Sequence, residues 1–210
     1  SQKLYRHHTG YLGGLKEVRL DEDTLVRALN AWLPEDAVVL EARDVPPTFD
    51  PRREAVRRSY RYVIENRPVR PALERDRVWH VPGELDLACM QQAASGLVGT
   101  RDFAAFASRP EAEGASTVRD LQRFAVTCSG SHIWLDVEAN AFLPHQVRRM
   151  TGALVEVGRG KLTPEEYVSL LEGPPGSAGP AAPARGLYLM RVEYADPIFA
   201  RALESAARVC

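Results

Sequence analysis

The chain has 210 residues, 45% of them apolar and 26% charged, with a formal net charge of −1. This balance suits one sizeable globular domain, or one domain and part of another, and excludes a disordered, collagen-like or coiled-coil protein. No run approaches the roughly 18 apolar residues of a membrane span, and the opening SQKLYRHHTG has no apolar h-region, so no secretory signal is expected.

In chain order, residues 21–33 predict a helix, with Asp21 as N-cap, Leu25, Leu29 and Trp32 on one face, and Pro34 as the stop. VVLEARDV (38–45) reads as a strand ended by Pro46-Pro47. SYRYVIEN (59–66) alternates Tyr60, Tyr62 and Ile64 on one face with Arg61 and Val63 on the other, and RVWHV (77–81) is a second short strand. Residues 85–98 predict a helix with Leu87, Met90, Ala94 and Leu97 inward, stopped by Gly99. DLQRFAVTC and IWLDVEANAF form a hairpin joined by Ser129-Gly130-Ser131. A longer helix spans 144–158, with Pro144 in its first turn and Val147, Met150, Leu154 and Val157 inward. Thr163, Pro164 and Glu166 have the spacing of a capping box opening a short helix. The Gly-, Pro- and Ala-rich stretch 173–186 is an extended connection, and GLYLMRVEYA (186–195) closes as a strand. Strands in hairpins with helices between them imply an α+β fold with a largely antiparallel sheet and helices on one face.

The neutral total hides a strong bias. Only three of the 27 basic residues are lysines, and residues 52–77 hold nine arginines against Glu54, Glu65, Glu74 and Asp76. Arginine suits planar, bidentate phosphate contacts, so this stretch is a candidate nucleic-acid face, with Arg52, Arg58 and Arg61 as its RNA-binding residues. A GC-rich genome or a plain solvated surface accounts for the same composition. The three cysteines, Cys89, Cys128 and Cys210, are odd in number and lack C-x-x-C spacing, which speaks against a disulfide framework and fits a reducing cytoplasm; Cys89 and Cys128 read as small core residues.

No phosphate-binding glycine loop, dinucleotide fingerprint, zinc-hydrolase or zinc-deaminase motif, or nucleophile elbow occurs. The histidines are dispersed apart from the pair His7-His8, so neither a cofactor nor a metal is expected. FDPRREAVRRSYRYVIENRPVR remains, where arginine meets phosphate and an exposed tyrosine stacks on a base, or where the two tyrosines simply pack in the core of an amphipathic strand. NAFLPHQVRRMTG carries Arg149, which has an easy solvent-facing reading, and Arg148, which lies close to the buried side of its helix. An unpaired charge there is costly unless a carboxylate in a cleft meets it.

Five pieces together, LDEDTLVRALNAWLPED, FDPRREAVRRSYRYVI, GTRDFAAFAS, NAFLPHQVRRMTGALVEVGRGK and AAPARGLYLMRVEY, resemble the tRNA pseudouridine synthase A family in the family's own order, from residue 19 to about 197. The resemblance implies a cofactor-free homodimer that isomerises uridine to pseudouridine in the tRNA anticodon stem-loop, each subunit having two similar α+β halves around a basic cleft. It implies substrate binding by Tyr60, from the R-x-Y-R-Y strand, and support of the catalytic carboxylate by Arg148, from the V-R-x-x-x-G helix. The family's nucleophilic aspartate sits in a G-R-T-D-A-G-V-H segment with no counterpart here, so no nucleophile is assigned and the chain alone is expected to be a catalytically incomplete RNA-binding fragment. SQKLYRHHTGYLGGLKEV resembles instead a short stretch of bacterial large-subunit ribosomal protein thirteen, or is a loop turning at Gly13-Gly14. The expected organisation is a foreign segment at 1–18, a remnant of the N-terminal half at 19–50, a C-terminal synthase domain at 51–197 and a tail at 198–210.

Overall fold

A computed structural model describes residues 20–108 and 116–195. The resemblance of residues 1–18 to a ribosomal protein, His7, His8, Cys210 and the tail therefore lie outside the described residues. Contacts divide the chain between Phe49 and Asp50 into two compact units, each described by itself.

In the first unit, α1 spans Glu22–Asn30. Asp21 caps it as expected, its carboxylate accepting the Thr24 amide at 2.8 Å, and Glu22 and Asp23 sit at the positive end of the helix dipole. The helix stops three residues short of Leu33, and Trp32, expected on its apolar face, is 91% exposed. The expected strand at 38–45 does not form. Val39 has its N–H and C=O taken by the side-chain amide of Asn30, at 2.7 and 2.8 Å, and no strand among the described residues pairs with it. β-propensity without a partner ladder is not enough to make a strand.

The second unit is a six-stranded sheet. Strands β1 (Ala55–Glu65), β2 (Trp79–His80), β3 (Gly99–Asp102), β4 (Val118–Ser129), β5 (His132–Ala139) and β6 (Leu187–Tyr194) run in the order β2-β1-β5-β4-β3. β6 shares the β1 edge with β2, pairing residues 55–62 while β2 pairs Ile64 and Glu65. Every pair is antiparallel except β1–β2, so the α+β expectation holds. The β4–β5 turn is tighter than expected: Ser129 pairs with His132, leaving Gly130 and Ser131 as a two-residue loop with Gly130 at φ +59°. Strand β3 was not anticipated; Gly99, expected only to stop a helix, opens it.

Period-two alternation sorts the side chains. Tyr62, Ile64, Ile133, Leu135 and Val137 are buried on one face, where α2 (Leu87–Gly96) and α3 (Gln146–Gly158) cover them with Met90, Ala94, Met150 and Leu154. Each fully buried aliphatic side chain contributes about 1.5–3 kcal/mol. The other face carries Arg61, Trp134, Asp136 and Glu138, all partly exposed. The helix α4 (Pro164–Ser169) has the expected capping box: the Thr163 hydroxyl accepts the Glu166 amide at 3.1 Å, and the Glu166 carboxylate accepts the Thr163 amide at 2.8 Å. Two details differ from expectation. Pro144 lies before α3, which begins after His145 in the left-handed region at φ 61°. Cys128 is exposed close to the β4–β5 turn, whereas Cys89 is half-buried. No described helix is long and apolar enough to cross a membrane.

Candidate functional site

Tyr60 and Tyr62 face the same side of β1, but only one is accessible. Tyr62 is fully buried; its hydroxyl donates to the Pro183 carbonyl at 2.6 Å and its ring meets Trp79 edge-on at 6.2 Å. Tyr60, two residues nearer the start of the strand, is half-buried and meets Phe142 edge-on at 5.2 Å. Burial raises both phenols, Tyr62 far above its ordinary value, against the opposing charges of Arg58 at Tyr60 and of Arg148 and Arg185 at Tyr62.

Arg148 is set by α3 and by the segment 178–183 that crosses it. Gly152, one turn beyond Arg148, makes that crossing possible. A Cβ at Gly152 would lie 2.4 Å from the Pro180 carbonyl oxygen. With the strap this close, Ala182 donates its N–H to the Arg148 carbonyl at 2.9 Å, and the Arg148 Nε donates to the Ala182 carbonyl at 2.6 Å. Arg148 is half-buried, neither in the apolar core nor on an open surface, and its terminal amines make no hydrogen bond to any described residue. A guanidinium held by one nitrogen with two others unengaged is preorganised to take a carboxylate or phosphate bidentately. Arg149, expected to face solvent, is half-buried and donates to the Gly176 carbonyl at 2.5 Å.

The three arginines of the basic stretch singled out as RNA-binding candidates do not form one surface. Arg52 is exposed. Arg58 is half-buried and donates to the backbone carbonyls of Ala55, Asn140 and Arg52, so it ties the start of β1 together. Arg61 points to the opposite face from Tyr60; it pairs bidentately with Asp136 at 2.7 and 3.0 Å and lies 5.0 Å from the centre of the Trp134 ring.

Sequence reasoning missed the strap itself. Ala182 and Pro183 present consecutive carbonyls to Arg148 and Tyr62, and Gly186 lets the chain pass the Tyr62 ring, where a Cβ would sit 2.7 Å from two ring carbons. Glycines in V-R-x-x-x-G and in A-R-G-L-Y-L were the available signal, since an isolated glycine marks a close backbone approach.

The family profile described as tRNA pseudouridine synthase matches residues 93–195, which contain α3, Arg148, the strap and β6. The chain is 42% identical over 179 residues to a tRNA pseudouridine synthase A of Roseiflexus castenholzii, an alignment covering 82% of this chain and 65% of that protein. It is 40% identical over 205 residues to the protein of that name from Roseiflexus sp. RS-1, covering 93% and 74%. It is 42% identical over 167 residues to the one from Geobacter sulfurreducens, covering 79% and 68%. Over roughly two thirds to three quarters of these relatives' length, with the arginine helix and its strap inside the matched region, this chain belongs to the tRNA pseudouridine synthase A family.

Proposed function

We propose that the protein to which this chain belongs isomerises uridine to pseudouridine in the anticodon stem-loop of tRNA, as a cytoplasmic homodimer without cofactor or metal at the reacting base. The observation that carries the proposal is the tethered Arg148, whose terminal amines are unengaged among the described residues on the side of β1 that bears the half-buried Tyr60. The target base leaves its stack, the glycosidic bond breaks, the uracil turns, and C5 bonds to the sugar. Arg148 holds the catalytic carboxylate ionised and oriented. Tyr60 contacts the flipped base by stacking and through its hydroxyl. The carboxylate itself has no recognisable counterpart in the sequence, which favours a second reading of the chain by itself as an RNA-binding fragment without turnover.

The test measures tritium release from tRNA carrying 5-tritiated uridine, together with tRNA binding at two salt concentrations. The chain alone is expected to bind tRNA less tightly as salt rises, because phosphate contacts release counterions, and to release little tritium. Joined to the aspartate-bearing segment of a relative, it is expected to release tritium, with large losses in Arg148→Ala and a smaller loss in Tyr60→Phe. A joined, folded protein that binds no tRNA or releases no tritium overturns the proposal. Turnover by the chain alone overturns the fragment reading and points to a substitute carboxylate.

A further inference from the structure

Glu65, the last residue of β1, is 1% exposed. One of its oxygens is well served: Oε1 accepts the Ser131 hydroxyl at 2.9 Å and pairs with the Arg67 Nε at 2.7 Å. The other, Oε2, is buried with no hydrogen-bond partner. It faces Nε2 of His132, its cross-strand neighbour in the β1–β5 register, at 3.2 Å. The same Nε2 lies 3.2 Å from Oε2 of Glu74, in the connection between β1 and β2. One imidazole nitrogen carries at most one proton, so it serves one of these oxygens and not both. A buried carboxylate oxygen left without a donor is costly.

We propose that Glu65, Glu74 and His132 form a binding site for a divalent transition-metal ion of the zinc class. The three donor atoms lie within 4.8 Å of one another. Metal–ligand bonds of about 2.0–2.2 Å at tetrahedral angles place neighbouring donors about 3.3–3.6 Å apart. The two separations of 3.2 Å are close to that edge without rearrangement. One ring nitrogen with two carboxylate oxygens suits zinc or cobalt rather than magnesium or calcium, which favour all-oxygen shells. The Arg67 and Ser131 contacts to Oε1 leave Oε2 as the coordinating atom and orient it. The ion would fasten the 66–78 connection, which carries Arg67, Arg70, Arg75 and Arg77, to the turn end of β5. The sequence hid the site because dispersed histidines and acids have no ligand spacing; the β1–β5 register brings two of the three together.

The chain, stripped with chelator, is titrated with zinc by calorimetry, with magnesium in a parallel arm and thermal unfolding as a second readout. One zinc equivalent is expected, with a raised Tm and no comparable response to magnesium. Glu74→Gln, at a half-exposed position that does not endanger folding, and His132→Gln should each weaken zinc by about tenfold or more while leaving the metal-free circular dichroism unchanged. Cobalt should give visible d–d bands without thiolate charge transfer, which separates this site from the cysteines. Absence of zinc binding overturns the proposal, as do undiminished zinc affinity in both variants, an equal response to magnesium, or a thiolate signature with cobalt.

Discussion

Gly152→Ala tests whether the strap is what fixes Arg148. The added methyl would lie 2.4 Å from the Pro180 carbonyl oxygen, and a backbone carbonyl cannot swing aside as a flexible side chain can. Relief requires the 178–183 segment to lift from α3. Two hydrogen bonds go with it, Ala182 N–H to the Arg148 carbonyl and Arg148 Nε to the Ala182 carbonyl. A neutral bond contributes about 1 kcal/mol and one from a charged donor about 1.5–3, a loss of about 2.5–4 kcal/mol. Alanine returns about 1 kcal/mol over glycine in a helix interior. The net expectation is a destabilisation of about 1.5–3 kcal/mol, or about 3–12 °C in Tm for a chain of this size. Urea and thermal unfolding measure it. Arg148→Ala removes one of the same two bonds, so the double variant should cost less than the sum of the singles. A Gly152→Ala chain as stable as the parent, or strict additivity in the double variant, would refute the reasoning.

Two further outcomes follow from the packing. Tyr62→Phe leaves the Pro183 carbonyl without its donor and should cost about 1–2 kcal/mol by urea unfolding; because burial raises the Tyr62 phenol far above the value of about 10 that it has when unfolded, the stability it contributes is fully present below about pH 10 and is lost as pH rises from there toward the folded value, so the urea midpoint should fall above pH 10, and less steeply in Tyr62→Phe, whereas an unchanged slope would contradict this. Thr163→Ala removes the hydroxyl that accepts the Glu166 amide while leaving the backbone N–H at that position for the Glu166 carboxylate, and should cost about 1 kcal/mol, with Thr163→Ser retaining most of the stability; equal loss in the two variants would show that the cap is not the cause.

The elements legible in the sequence were those whose signal is local. The capping box at Thr163, the Asp21 cap and the alternation around Tyr60 and Tyr62 each rest on neighbours within a few residues, and each forms. The misreadings came from tertiary context. Residues 38–45 have strand-like composition, but Asn30 takes the backbone groups of Val39. β3 is four residues long with three exposed side chains, too short to show a period, and exists because β4 pairs with it. Partners across the fold are hidden in the same way: Arg61 is paired to Asp136 across the sheet and Arg58 donates to backbone carbonyls, and no local pattern announces either.

The two tyrosines show how position along one strand, rather than face, divides roles. Both look toward the same side, yet Tyr62 lies beneath the strap and its hydroxyl is consumed in holding Pro183, while Tyr60 lies outside that overlap and keeps part of its ring accessible. The residue before Pro183 is Ala182, which takes the Arg148 Nε. Strand and helix therefore grip consecutive carbonyls of one segment, Tyr62 from the sheet and Arg148 from α3, so the guanidinium is fixed relative to β1 through a backbone only two residues long. That linkage also explains why the family pieces carry weight in combination. The tyrosine strand, the helix with its glycine at the fourth position after the arginine, and the glycine at 186 are far apart in sequence, but each supplies one contact or one clearance at the same strap. Any one alone is ordinary packing; together they hold one arginine by a single nitrogen at a strap that the buried Tyr62 anchors from the sheet.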